Sequence, residues 1–134
     1  MKLSTKGVYG LRALINLASA EKSPVLLKNI AKEENISEKY LEAIFSSLRK
    51  ASLIDATRGK NGGYTLATTP DQIQLDRIID ALEGINRFSA QKNIPKNSTI
   101  LTVMQNLDNK VNEHLTEITL ADMLGDKKAV NFSI

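Results

Sequence analysis

Residues 35–66 have the sequence NISEKYLEAIFSSLRKASLIDATRGKNGGYTL, and this stretch decides the fold. Ser37 is a favourable helix N-cap, because its hydroxyl can accept a hydrogen bond from one of the first free backbone N–H groups. After it, apolar residues recur at i, i+3, i+4 and i+7, namely Leu41, Ile44, Phe45 and Leu48. That spacing predicts a helix over 38–51 with one stripe facing a core.

The other face of this helix is polar, and a basic hairpin follows it. That face carries side chains that are short or form hydrogen bonds: Lys39, Tyr40, Glu42, Ala43, Ser46 and Ser47. Strands are predicted at 53–57 and 64–67, and residues 58–63 (RGKNGG) predict the turn between them through their Asn-Gly pair. A polar helix followed at once by a basic hairpin is typical of a winged helix-turn-helix. Its helix fills a major groove, and its hairpin reaches the backbone or the minor groove beside it.

The residues before this stretch predict two more helices, over 6–19 and 26–34, with a tight turn at 35–36. The second of these helices and the helix at 38–51 form the helix-turn-helix unit. Gly7 and Gly10 weaken the first helix by roughly 1 kcal/mol each relative to alanine. The alternative is that they allow close approach of another backbone or of DNA.

The residues after the hairpin predict a helix over 75–83 closed by Gly84, a connector loop over 85–97 and a long helix from Ser98. A short helix over 119–124 and a tail over 125–134 follow. The expected fold class is therefore mainly α, a winged helix-turn-helix domain with a two-stranded wing plus a long C-terminal dimerisation helix. The expected domains are 1–84 for DNA binding, 85–97 as connector, and 98–134 as dimerisation helix and tail.

The long helix carries an apolar seam with near-heptad spacing, formed by Ile100, Met104, Leu107, Val111, Leu115 and Ile118. Such a seam favours a two-fold dimer, since one winged helix binds too little DNA surface to be specific. The alternative is an amphipathic helix that docks on its own domain.

Composition narrows the class of protein. The chain has 134 residues, with 42% apolar and 25% charged residues, which suits one soluble domain with an appendage. Without an apolar run of membrane-spanning length or a signal-peptide pattern, a cytoplasmic protein with no membrane association is expected. Zero cysteines exclude disulfides, thiolate zinc sites and a cysteine-ligated iron–sulfur cluster in this sequence.

Charge is divided unevenly along the chain. Residues 1–67 hold 11 lysines and arginines against six aspartates and glutamates, a net charge of +5, and residues 68–134 hold seven against nine, a net charge of −2. A basic first half fits a module that faces phosphate groups, with double-stranded DNA as its partner. Random scatter of charge is the alternative.

Several motifs together resemble the bacterial Rrf-type winged-helix regulators. This family includes the iron–sulfur cluster regulator, the nitric-oxide-sensing repressor and the cysteine-metabolism repressor. The motifs are MKLSTKG at 1–7, Tyr9-Gly10, Ile36-Ser37, Tyr40-Leu41-Glu42, Leu48-Arg49-Lys50 and RGKNGGY at 58–64. The match is tight over residues 1–84 and loose beyond them.

The resemblance implies a homodimer on a dyad-symmetric operator, with helix 38–51 in the major groove and the wing, led by Arg58, at the minor groove. Family members that sense through a cofactor hold an iron–sulfur cluster by three cysteines in the loop before the long helix. In this chain Ser89 and Ser98 lie near two of those positions. The chain therefore resembles the cluster-free branch, which works with a regulatory protein partner or a small effector. The alternative is a sensor whose cysteines were replaced by engineering.

Two departures from the family pattern leave the operator sequence open. Val8 stands where an arginine is common, and Ala43 stands where a glutamine can contact a base.

The resulting candidate DNA-binding residues are Ser37, Lys39, Tyr40, Glu42, Ala43, Ser46, Arg49, Arg58, Lys60, Lys2 and Lys6. Glu42 gives the most specific prediction of them. Phosphate repels a carboxylate, so a glutamate on a DNA-facing surface is expected only if it accepts a hydrogen bond from a base amino group such as cytosine N4. Its alternative role is to pair with Lys39 or Ser46.

No pattern of an active site is present. The 59–63 turn lacks the GK[ST] ending of a nucleotide-binding loop. Asp76 and Asp80 are explained by the helix macrodipole, and His114 has no nucleophile pattern beside it. The expected function is sequence-specific transcriptional regulation, and the competing class is a winged-helix protein–protein interaction module.

Overall fold

The computed structural model describes residues 2–125. The elements are α1 (Thr5–Ser19), α2 (Leu27–Glu34), α3 (Glu38–Lys50), β1 (Ile54–Thr57), β2 (Gly63–Leu66), α4 (Leu75–Glu83), α5 (Thr99–Leu115) and α6 (Leu120–Leu124), with a 3-10 turn at Pro70–Gln72. The prediction of a mainly α winged helix-turn-helix fold is confirmed. The predicted tail falls outside the described residues from 126 onward.

The core lies where α1, α2, α3 and α4 meet. The apolar stripe predicted for α3 is fully buried there, with Leu41, Ile44, Phe45 and Leu48 each 0% exposed. Burying such stripes is the main source of stability for short helices, which are marginal on their own in water.

Gly7 and Gly10 serve close packing against α4, rather than the approach of a second backbone or of DNA. A Cβ at Gly10 would lie 2.7 Å from the Leu82 methyl carbons. At Gly7 it would overlap the Glu83 carboxylate, which accepts hydrogen bonds from the backbone N–H and hydroxyl of Ser4 (2.9 and 2.6 Å). The two glycines let α4 close over the start of α1.

The turn between α2 and α3 depends on Asn35. Its φ of 56° lies in the left-handed region, which asparagine adopts more readily than most residues. Ile36 is buried beside it, and Ser37 then caps α3 by accepting a hydrogen bond from the Tyr40 N–H at 3.1 Å. The predicted tight turn is confirmed.

The wing is a two-stranded antiparallel sheet in which Ile54 pairs with Leu66 and Thr57 with Gly63. It is also tied to the segment before α2, because Val25 and Tyr64 exchange two backbone hydrogen bonds of 2.9 and 2.8 Å. Gly63 makes this approach possible, since a Cβ there would lie 2.5 Å from the Val25 carbonyl oxygen.

The end of the long helix differs from the prediction. α5 ends at Leu115, so Ile118 is not part of the helix and its place in the predicted seam is wrong. Residues 118–120 instead pair with the start of α4: Leu75 N–H donates to the Ile118 carbonyl, and Leu120 N–H donates to the Ile73 carbonyl, both at 2.8 Å. Leu120 is fully buried in the same core as α1–α4.

The predicted seam of α5 is not a single stripe. Ile100 and Leu107 are exposed, together with Val103, which was not predicted, whereas Met104, Val111 and Leu115 are half-buried. Among residues 2–125, no helix is both long enough and apolar enough to cross a membrane.

Candidate nucleic-acid interface

The solvent face of α3 carries most of the predicted contact residues. Lys39, Glu42, Ala43, Ser46 and Arg49 are all exposed on it, opposite the buried stripe. The helix has Glu38 in its first turn and Arg49 with Lys50 in its last, which complements its macrodipole. The structure thus presents a rigid polar helix face to solvent.

A groove of about 450 Å³ separates α3 from the wing, and it is lined by Glu42, Ser46, Arg49, Lys50 and Tyr64. Two cations thus lie beside the one carboxylate of this groove. Among the described residues, Glu42 forms neither the ion pair with Lys39 nor the hydrogen bond with Ser46 that were its alternative roles.

The tip of the wing is basic and projects into solvent. Arg58 and Lys60 are both exposed, and within residues 2–125 neither forms a salt bridge. Their charges therefore remain available to a phosphate backbone or to the negative potential of a narrow minor groove.

Tyr40 differs from the expectation of a free surface side chain. It is half-buried, and its ring packs edge-on against Tyr9 of α1, with the ring centroids 5.9 Å apart. The Arg12 guanidinium lies 5.2 Å from the centroid of the Tyr9 ring. Sequence alone did not show this contact, because it joins residues 31 positions apart.

Lys6 and Lys2 are separated from the α3–wing groove. The Lys6 ammonium donates a hydrogen bond to the Ser47 hydroxyl at 2.9 Å, which ties α1 to α3. Lys2 instead lines a small hollow of about 210 Å³ with Glu83, Arg87 and Gln91. The structure does not bring these two lysines together with the other candidates.

Three cations of the helix-turn-helix were missing from the predicted set. Lys50 lines the groove, one helical turn after Ser46, and this spacing could have revealed it. Lys28 and Lys32 of α2 line a shallow hollow of about 700 Å³ next to Asn35 and Glu38. Only the fold shows that these two lysines of α2 share a hollow with Glu38 in the first turn of α3.

The profile of the Rrf2 family, described as an iron-dependent transcriptional regulator, matches residues 3–126. This chain belongs to the Rrf2 family. It is a helix-turn-helix transcriptional regulator that binds DNA, and not an enzyme.

Relatives and solved structures agree with this assignment. The HTH-type transcriptional regulator IscR of Vibrio vulnificus is 34% identical over 139 aligned positions, covering 99% of this chain and 83% of its own. The structure of CymR, the global cysteine regulator of B. subtilis, has a TM-score of 0.74 at 38% identity and covers 92% of this chain and 96% of its own. The structure of IscR from T. potens has a TM-score of 0.76 at 38% identity and covers 100% of this chain and 93% of its own.

The iron in the family description does not fit the residues of this Rrf2 chain. It has no cysteine, and within residues 2–125 no group of three histidine, aspartate or glutamate side chains could hold a metal ion. The Ser89 hydroxyl donates a hydrogen bond of 2.6 Å to the Asp108 carboxylate. Ser98 caps α5 and donates to the Pro95 carbonyl at 2.6 Å. Both serines are used in local structure.

Proposed function

We propose that this Rrf2 chain is a homodimeric, cytoplasmic repressor that recognises a dyad-symmetric operator. In this proposal α3 lies in the major groove and the wing at 58–63 lies at the adjacent minor groove. The observation that carries the proposal is the groove between α3 and the wing, in which Glu42, Ser46, Arg49 and Lys50 of the polar helix face lie next to Tyr64 of the wing.

Contacts on α3 fall into two groups. Ser37, Lys39 and Tyr40 lie at the N-terminal turn of the helix and hold the phosphate backbone, as helix N-termini commonly do. Glu42, Ala43 and Ser46 face the bases, and Arg49 contacts phosphate or a base at the far end of the helix. Glu42 discriminates by accepting a hydrogen bond from a cytosine amino group.

Positive charge outside α3 fixes the protein on the duplex. Arg58 and Lys60 contact the minor groove or its phosphates, while Lys6 of α1 and Lys2 before it add long-range attraction. Lys28 and Lys32 of α2, next to the first turn of α3, add two further positive charges. This arrangement follows the general geometry of the helix-turn-helix, in which the first helix crosses the backbone.

The exposed apolar residues of α5 support the homodimer. Ile100, Val103 and Leu107 are 55%, 46% and 40% exposed and follow one another at i, i+3 and i+7 on one side of the helix. Large apolar side chains in one contiguous stripe indicate a surface that another chain covers. A two-fold axis along α5 pairs this stripe with itself and gives the operator its symmetry.

The proposed regulator works without a cofactor of its own. Its signal therefore comes from a regulatory protein partner or a small effector, as in the cluster-free branch of the family. The domain division into 1–84, 85–97 and 98–134 remains part of this proposal, although α6 returns to the core of the first unit.

Selection of bound duplexes from random DNA, followed by titration at several salt concentrations, tests the proposal. Each phosphate contact contributes a slope of about −0.9 to the plot of log K against log salt for duplex DNA. We expect a steep slope and one symmetric sequence. Binding of duplex that ignores salt and sequence would favour the protein–protein interaction module instead.

A further inference from the structure

A buried carboxylate holds the connector between α4 and α5. Asp108 of α5 is 3% exposed. It accepts hydrogen bonds from the Phe88 N–H at 2.7 Å, the Ser89 N–H at 3.0 Å and the Ser89 hydroxyl at 2.6 Å. Both carboxylate oxygens are thereby bound to the first turns of the connector.

A buried guanidinium completes the arrangement. The side chain of Arg87 is 4% exposed. It donates to the Asp80 carboxylate of α4 at 3.1 Å, to the carbonyl of Gly84, the residue after α4, at 2.7 Å, and to the Asn112 side-chain oxygen of α5 at 2.6 Å. One planar group thus joins the end of α4 to the middle of α5.

We call Asp80, Arg87, Ser89, Asp108 and Asn112 the connector network. Removing two charges from water is costly, and that cost is recovered only when the geometry is good and the polar atoms find partners. Both Asp108 oxygens and both terminal nitrogens of Arg87 have partners, whereas Arg87 Nε has none among the described residues. A planar guanidinium has donors in fixed directions, so its acceptors on two helices cannot slide or rotate freely. The network therefore fixes the angle between α4 and α5.

We propose that the connector network is a positioning device built from protein side chains and the backbone groups they bind, at the place where the resemblance puts a metal cluster in other members of the family. It sets the orientation of α5 relative to the winged-helix domain. In the homodimer of the proposed function, on which this part of the inference rests, the orientation of α5 determines the distance between the two α3 helices. Half-site spacing is then fixed independently of iron.

The first test measures the network without DNA. Amide hydrogen exchange at Phe88 and Ser89 is compared in the wild type, Asp108→Asn, Ser89→Ala and a control, Glu113→Gln, which changes an exposed carboxylate of the same helix. We expect Asp108→Asn to accelerate exchange at both amides by about tenfold or more, because each loses a charged acceptor. Ser89→Ala keeps both backbone hydrogen bonds and should accelerate exchange less. Glu113→Gln should leave the exchange rates of both amides unchanged.

The second test measures spacing. The tightest duplex selected from random DNA is remade with one base pair inserted or removed between its half-sites. We expect the wild type and Glu113→Gln to bind one of the three duplexes about tenfold or more tightly than the other two. That difference is at least the effect of about one mismatched base pair. Arg87→Lys keeps the charge but loses the planar fork, and should bind the three duplexes with nearly equal affinity. A chelator, or ferrous iron with sulfide, should leave wild-type binding unchanged.

Each result decides one step. Unchanged exchange in Asp108→Asn would overturn the network itself, whether or not the protein binds DNA. A spacing preference retained by Arg87→Lys, or wild-type binding that a chelator abolishes, would overturn its positioning role. A wild type that binds no duplex would contradict the proposed function, while the exchange result would still decide on the network.

Discussion

The ring of Tyr64 in the wing lies edge-on against the ring of Phe45 in α3, with the centroids 4.9 Å apart and the planes at 73°. Phe45 is fully buried, and Tyr64 lines the groove between α3 and the wing. Because the Tyr64 backbone is also hydrogen-bonded to the backbone of Val25, this contact fixes the wing relative to α3.

Replacing Phe45 tests how much this contact supports the fold. Phe45→Ala should lower the free energy of unfolding by about 3–5 kcal/mol, because it leaves a cavity in a closed core. Phe45→Leu, the matched control, fills much of that volume and should lose less. Denaturant unfolding measures both, and a loss below about 1 kcal/mol for the alanine variant would contradict the packing described for α3.

Arg58 carries the prediction for the wing. Arg58→Ala should weaken binding to the selected duplex and remove the preference at the bases next to the wing. It should also reduce the magnitude of the salt slope by about 1, because one phosphate contact is lost. Fluorescence anisotropy at several salt concentrations measures this. Lys22→Ala, which removes a charge outside the groove, is the control, and equal behaviour of the two variants would refute the wing assignment.

Glu42 is expected to contribute discrimination rather than affinity. Glu42→Ala should relax base preference by about 1–3 kcal/mol at one position of each half-site, with little loss of total affinity, since it also removes repulsion from phosphate. Competition between duplexes that differ at single positions measures this. A uniform loss across all sequences would assign Glu42 a structural role.

Leu107 tests the dimer. Leu107→Glu places a charge in the exposed apolar stripe and should convert the protein to a monomer with unchanged helix content and weak operator binding. Light scattering after size exclusion measures the mass. Asn109→Glu, on the opposite face of α5, is the control and should remain dimeric. A dimer in both variants would show that another surface joins the subunits.

Asp108 gives a pH dependence. Burial raises the pKa of its carboxyl, but hydrogen bonds from Ser89 and Phe88 and the charge of Arg87 outweigh burial and hold the pKa below the ordinary value of 3.8. The unfolded chain then binds the proton more tightly than the folded one. The contribution of ionised Asp108 to the free energy of unfolding is therefore complete above the ordinary pKa. It is lost as the pH falls through the lower pKa that this carboxyl has in the folded protein.

Thermal or denaturant unfolding as a function of pH checks this expectation. The gap in stability between the wild type and Asp108→Asn should be constant near neutrality and narrow as the pH falls below about 4. Asn109→Ala, an exposed neutral neighbour, should follow the wild type throughout. A gap that widened on acidification would contradict the sign of the shift.

Local patterns were sufficient to predict α3 and the wing. Ser37 and the stripe from Leu41 to Leu48 predicted α3, and the Asn-Gly pair predicted the wing turn, because capping and periodicity act over a few residues. The glycines at the start of α1 were ambiguous, since only the packed α4 shows what approaches them.

Contacts between distant residues were the part that sequence patterns could not give. The connector was predicted as a loop, but Asp108 lies 19 positions after Ser89, and nothing in the local sequence pairs them. The helix α5 was extended to Ile118 because its apolar spacing continues. Backbone pairing of Ile118 with Leu75 ends the helix earlier, and no periodicity reports such pairing.

Hydroxyl-radical footprinting on the selected duplex tests the central proposal most directly. Two α3 helices of a symmetric dimer should protect two patches related by a dyad, with centres one helical turn of about 10 base pairs, or a multiple of it, apart. The patch next to each wing should vanish in Arg58→Ala. A single protected patch, or protection without symmetry, would contradict the account.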